Sequence, residues 1–141
     1  MYKNQYEKEI VSDKELSRKK SNVNDIVQDT ISKYDIVLKL ICGLEEEIVK
    51  LKKAVSIDFE VNEEAVDRAE KISKIAFALQ SCVDDKEGGD LAKNLHWLYR
   101  FVRFSCKRLI DNEDLTYIKP AHLIAKDLKE GWLGIPSEQR N

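Results

Sequence analysis

Apolar residues recur at helical spacing in four stretches of this chain, separated by short polar breaks. In the first, Val37, Leu40, Ile41, Leu44, Ile48, Leu51 and Val55 make one stripe of about five turns. Ser32 stands at its head as a capping residue with Asp35 three positions on, while Glu45, Glu46, Glu47, Lys50, Lys52 and Lys53 fall mainly on the solvated side. After a connection through Ile57 to Val61, Asn62 caps a second helix whose core face is Ala65, Ala69, Ile72, Ala76, Leu79 and Val83. The alanines predict a close approach to a neighbouring helix.

Asp84 to Gly89 breaks the pattern and turns the chain back into a third helix running to about Ile110. This helix carries two apolar stripes. Leu91, Leu95, Leu98, Val102, Cys106 and Leu109 define one, and Trp97, Phe101 and Phe104 recur at i, i+4 and i+7 on another. At about 100° per residue the aromatics lie roughly 130° around the axis from the leucines, so one layer of neighbours does not cover both. Either the fourth helix, with Trp132, packs over them or a partner does. That fourth helix is marked by Ala121, Ile124, Ala125, Leu128 and Trp132. Asp114 and Pro120 signal its start, close to Lys119, and Gly134 and Pro136 end it.

Four helices with short connections predict an all-α, antiparallel up-down four-helix bundle. Few glycines (5) and prolines (2) and no sustained polar–apolar alternation argue against a β fold. The first 20 or so residues lack periodicity and read as a mobile arm, so the expected organisation is an arm over 1–26, the bundle over 27–135 and a tail over 136–141. The 24 basic and 26 acidic residues are interspersed, with net charge −2, which leaves no footprint for nucleic acid. No apolar run approaches the ~20 residues of a membrane span, and the N-terminus resembles neither a signal nor a transit peptide; a cytoplasmic location is expected.

Candidate chemistry changes this picture little. Cys42, Cys82 and Cys106 are widely spaced and fall on or beside apolar faces, as reduced thiols acting as small hydrophobes would. Neither His96 nor His122 pairs with a cysteine at a metal-binding spacing, so no metal or cofactor is expected. His96, beside Trp97, is the best single candidate for acid–base work, but no nucleophile or orienting acid accompanies it. Gly88 and Gly89 follow no strand and precede no third glycine, so they read as a turn rather than a nucleotide fingerprint. No catalytic residue is expected.

From about residue 27 to 133 the chain resembles the flagellar secretion chaperone (FliS) family. The resemblance is carried by Gly88-Gly89, the Leu91-Ala92-Lys93-Asn94-Leu95 run and the Leu98-Tyr99 pair, in the family's order. Upstream, Thr30, Ser32, Asp35, Leu40 and Gly43 fall at the spacing of the family's opening, and Leu123, Ile124, Leu128 and Trp132 resemble its closing helix. Lys33, Lys39 and the Ile41-Cys42 pair depart from the family pattern. The resemblance implies a non-enzymatic cytosolic chaperone that holds the disordered C-terminal segment of flagellin, blocks premature polymerisation and delivers it to the export apparatus. It also implies an arm that covers part of the binding surface until the client arrives. The alternatives are a chaperone for another exported client and a self-associating helical scaffold. The expected partner-binding residues are Trp97, Phe101 and Phe104 with Arg100 and Arg108 beside them, Ile75 on the second helix and Trp132 on the fourth.

Overall fold

The computed structural model describes residues 33–140; the expected arm and the capping Ser32 lie outside the described residues. Four helices follow in order: α1 (Lys33–Val55), α2 (Glu63–Ser81), α3 (Asp85–Asn112) and α4 (Ile118–Leu133), with a single 3₁₀ turn at Ser137–Gln139. They form an all-α four-helix bundle, without strands among the described residues. Cross-helix pairs fix the directions. Tyr34, Glu45 and Lys52 on α1 meet Trp132, Lys129 and His122 on α4, so the two run antiparallel. Glu47 meets Arg68 while Gly43 approaches Ile75, so α1 and α2 run antiparallel too.

The α1 stripe is the floor of the core: Val37, Ile41, Leu44, Ile48, Leu51 and Val55 are all buried. α2 lays Ala65, Ala69, Ile72, Ala76 and Leu79 on one side of it, and α4 lays Ala121 and Ala125 on the other. At α2 the expected cap forms: the Asn62 side chain accepts the Ala65 N–H at 2.8 Å. α4 begins at Ile118, which puts Pro120 in the first turn, where its missing N–H has no intrahelical partner to lose.

Three details differ from the sequence reading. Glu47, expected on the solvated side, is only 5% exposed. It sits where α1 faces α2 and is paired with Arg68 (2.9 Å), Lys71 (3.2 Å) and Lys50 (3.5 Å). Desolvation pushes its pKa up, but hydrogen bonds from Lys71 and Arg68 and their charges outweigh that and leave it below the usual value. The second difference lies in the leading stripe of α3. The buried positions are Ala92, Tyr99, Val102, Cys106 and Leu109, whereas Leu91 is 65% exposed and Leu98 is half-buried.

Third, the Asp84–Gly89 break is not a loop. Asp84 caps a helical turn by accepting the N–H groups of Lys86 and Glu87, and the irregularity is confined to Gly89 (φ 52°, ψ −127°), which kinks α3. The kink folds the leading turn back so that His96 Nε2 donates to the Asp85 carboxylate at 2.7 Å, eleven residues away. Only glycine takes the Gly89 backbone at low cost. At Gly88 a side chain would instead meet a neighbour, its Cβ falling 2.7 Å from that of Ala92.

Glu47→Gln should lower stability by about 1–2 kcal/mol, since it leaves Arg68 and Lys71 without their buried anion while all three cations keep some water. Urea denaturation at neutral pH measures this. Gly89→Ala should cost a similar ~1–2 kcal/mol through backbone strain, with helix content by circular dichroism unchanged.

His122 gives a pH-dependent expectation. Its Nδ1 accepts from the Lys52 ammonium at 3.0 Å, and burial, then the Lys52 and Lys126 charges, hold its pKa below the usual 6.5 against the opposing pull of Glu45. The unfolded chain therefore binds the proton more readily, and stability falls as pH drops through 6.5 and past the folded value. His122→Gln should flatten the urea midpoint between about pH 7.5 and 5.5.

Candidate functional site

Three of the helix pairs in the bundle pack closely, but α3 and α4 share far less contact. They meet where the end of α3 turns into α4 and diverge toward the start of α3. The divergence leaves a groove of about 710 Å³, with the last turns of α4 on one bank and the first turns of α3 on the other. Its walls are largely apolar: Leu91, Ala92, Leu95 and Tyr99 from α3, Leu79 from α2 and Val83 just past its end, Tyr34 and Val37 from α1, and Trp132 from α4 with Ile135 just past its end.

The α4 bank is held rigidly. Trp132 stacks on Tyr34 at 5.8 Å and 14°. The two are tied in both directions: the Tyr34 hydroxyl donates to the Trp132 carbonyl at 3.0 Å, and the Trp132 indole N–H donates to the Tyr34 carbonyl at 3.1 Å. Arg140 then lies over the other side of the cluster, 4.7 Å from the Tyr34 ring, with its Nε on the Ile135 carbonyl. The α3 bank has two parts: Glu87 and Gly88 in the leading turn, which is kinked at Gly89 and clasped by Asp85 and His96, and Leu91, Ala92, Leu95 and Tyr99 beyond the kink. Lys33 and Tyr34, the first described residues, also line the groove.

Trp132 therefore does not cover the aromatic stripe of α3. The cover comes instead from Tyr117, at the head of α4, whose ring meets Phe101 edge-on at 6.2 Å and Phe104 at 5.0 Å. Trp97 stacks on Phe101 at 5.7 Å and 20°, yet remains 58% exposed, and Phe104 remains 45% exposed. The stripe is a ridge on the outer side of α3.

The expected partner-binding residues thus fall in five places. Trp97, Phe101 and Phe104 stand together on the ridge. Arg100 and Phe104 also line a second cleft, of about 480 Å³, between α2 and α3. Arg108 is bound to Asp114 through Nε and a terminal nitrogen at 3.2 and 3.0 Å, and so clamps the α3–α4 turn. Ile75 packs on the core toward Gly43 of α1, away from the ridge. Trp132 alone borders the groove.

Sequence reasoning assigned Leu91 and Leu95 to the core and overlooked Tyr34 and Ile135 as groove residues. The available signal was the Ala92–Tyr99 pair, which falls one position after Leu91 and Leu98 and continues through Val102, Cys106 and Leu109 as a better-centred core line.

Among the described residues no group of three His, Cys, Asp or Glu side chains could hold a metal ion. The Cys106 thiol is pushed up to about 12 by burial, far from a reactive thiolate at neutral pH. Tyr99, raised to about 12 by burial and then by Cys82, stays a neutral phenol in the groove floor. No described helix is long and apolar enough to cross a membrane.

Comparison with known proteins bears on this geometry directly. The family model described as "Flagellar protein FliS" matches residues 16–139, which takes in all four helices and both banks of the groove. The chain belongs to the flagellar protein FliS family. It is also 31% identical over 111 residues to the flagellar secretion chaperone FliS of Vibrio cholerae, covering 78% of this chain and 79% of that protein. No solved structure matches it. Within the FliS family frame, the double glycine and the leucine run that follows it are the bank of a groove.

Tyr34→Phe should remove one of the two bonds that fix the α4 bank and lower stability by about 0.5–1.5 kcal/mol. Trp132 emission should shift to the red as that bank loosens, and thermal unfolding followed at this wavelength reads both effects.

Proposed function

We propose that this protein is a cytosolic flagellar export chaperone, without catalytic activity, whose groove at the open α3–α4 seam receives the disordered C-terminal segment of flagellin. Holding that segment blocks premature polymerisation and keeps the client ready for the export apparatus. Membership of the FliS family and likeness to a relative named as a flagellar secretion chaperone support the reading. The observation that carries it is the groove: an elongated apolar cleft with one rigid bank and one kinked at Gly89, left open by the bundle.

A disordered client loses conformational entropy on binding, so its chaperone must supply apolar surface in compensation. Leu91, Leu95, Val83 and Trp132 supply it along the walls, in the manner of a groove receiving an amphipathic helix. Burying two or three client side chains there contributes about 1.5–3 kcal/mol each, a large part of the ~8 kcal/mol of micromolar binding, and contacts along the rest of the segment offset its ordering cost. Polar groups at the rim, Lys33, Asp84, Glu87 and Gln139, set register.

Titration calorimetry with flagellin and with flagellin lacking its C-terminal tail tests this. The intact client should form a 1:1 complex and the truncated one should not bind. Leu91→Asp, at an exposed position, should leave the fold intact and weaken binding by at least ~10-fold, equivalent to about 1.4 kcal/mol. Full binding by Leu91→Asp would move the client off this groove, and no binding of intact flagellin would point to another exported client.

A further inference from the structure

We infer that the aromatic ridge of α3 is a second docking face, for an acidic amphipathic helix of another protein. Between Leu91 and Ile110 the chain has five cations and no Asp or Glu, although acidic residues outnumber basic ones 26 to 24 overall. Arg103 is buried on Gln80, and Lys107 and Arg108 pair with Asp111 and Asp114, so the exposed cations beside Trp97 are Lys93 and Arg100. The acid-free run coincides with the exposed aromatics. Trp97, Phe101 and Phe104 span eight residues, about two helical turns or ~10 Å, which is the footprint of two turns of a facing helix. The ridge is also already ordered, since each ring is packed on another or on Tyr117, so little side-chain freedom is lost when a partner covers it.

The cleft beside the ridge carries the same charge. Phe104 and Arg100 belong to both, and the cleft lining adds Lys74 against Glu70, while Lys107 and Asp111 in the same lining pair with each other at 3.0 Å. A partner helix with leucines or aromatics at i, i+3, i+4 and i+7, and carboxylates along its flanks, matches both surfaces at once. A second copy of this chain does not match: an isologous pairing would set the acid-free run against itself. Single-stranded nucleic acid suits the cations but not the rings, because Trp97 and Phe101 stack on each other and offer fewer open faces to bases. The ridge is separate from the groove, since Trp97 and Phe101 do not line it, so the inference stands whether or not flagellin is the client.

The test uses the full chain and two labelled synthetic helical peptides with the same Leu/Phe face, one flanked by Glu and the other by Lys, read by fluorescence anisotropy. At low salt the Glu peptide should bind at least ~10-fold more tightly than the Lys peptide, and the gap should shrink as salt is raised. Trp97→Ala should weaken the Glu peptide by about 10-fold, Arg100→Glu should erase the preference, and Leu91→Asp should leave it unchanged. Both ridge positions are exposed, and circular dichroism checks the fold. Equal binding of the two peptides, or Glu-peptide binding indifferent to Trp97→Ala, would overturn the inference. Displacement of the Glu peptide by oligo-dT, or a dimer in sedimentation that Trp97→Ala dissolves, would also overturn it and assign the ridge to nucleic acid or to self-association.

Discussion

The structure depends on how α1 is shared. Its single stripe, from Val37 to Val55, is contacted from one side by α2 and from the other by α4. Both neighbours meet it largely through alanine: Ala65, Ala69 and Ala76 on α2, Ala121 and Ala125 on α4. Small side chains let helix axes approach, and the Glu47 and Tyr34–Trp132 contacts then lock the two interfaces. With α2 and α4 drawn in to α1, α3 is carried by α2 and touches α4 only near their shared turn. The open seam follows from this packing. It is the remaining edge of a bundle whose other three edges are tightly closed.

Much of this was legible in the chain. The periods of α1 and α2 are long and regular, and strong repetition leaves a helix little choice of face. The Asn62 cap and the Pro120 start are local chemistry, decided by a few atoms, and they form as read. The errors concern faces rather than elements. Glu47 looks like one more member of a charged run, Glu45-Glu46-Glu47, and only the arrival of Arg68 and Lys71 from α2 makes its burial tolerable. Nothing within α1 announces that. Phe77 is similar: its burial goes with Arg103, whose guanidinium lies 4.8 Å over the ring and reaches Gln80 at 2.7 Å.

The misreading of α3 is instructive for the same reason. Leu91 and Leu98 look like core because leucine usually is, and they keep helical spacing with Leu95 and Leu109. Their exposure depends on where α4 lies, a fact of the whole bundle. The aromatic stripe was recognised as surplus to one core, but the choice between internal cover and partner turned on the reach of Tyr117 and on the bond pair that holds Trp132 elsewhere. An exposed leucine beside a buried alanine thus marks a place where the helix faces an absent neighbour, here the groove.

The kink at Gly89 divides α3 into two pieces of unequal commitment. The long piece is tied into the core through Tyr99, Val102, Cys106 and Leu109, while the leading turn is held by its Asp84 cap, one carboxylate–imidazole bond and its contacts along the groove. Releasing residues 85–88 breaks those few contacts and returns about 1–2 kcal/mol of backbone entropy per residue, so it is opposed far less than cooperative unfolding of the bundle. The Glu87–Gly88 edge of the groove is therefore a local variable, while its Leu91–Tyr99 wall is fixed to the core. Under the proposed function, segments of differing bulk would be taken up by moving one short turn, with the hydrophobic core left as it is.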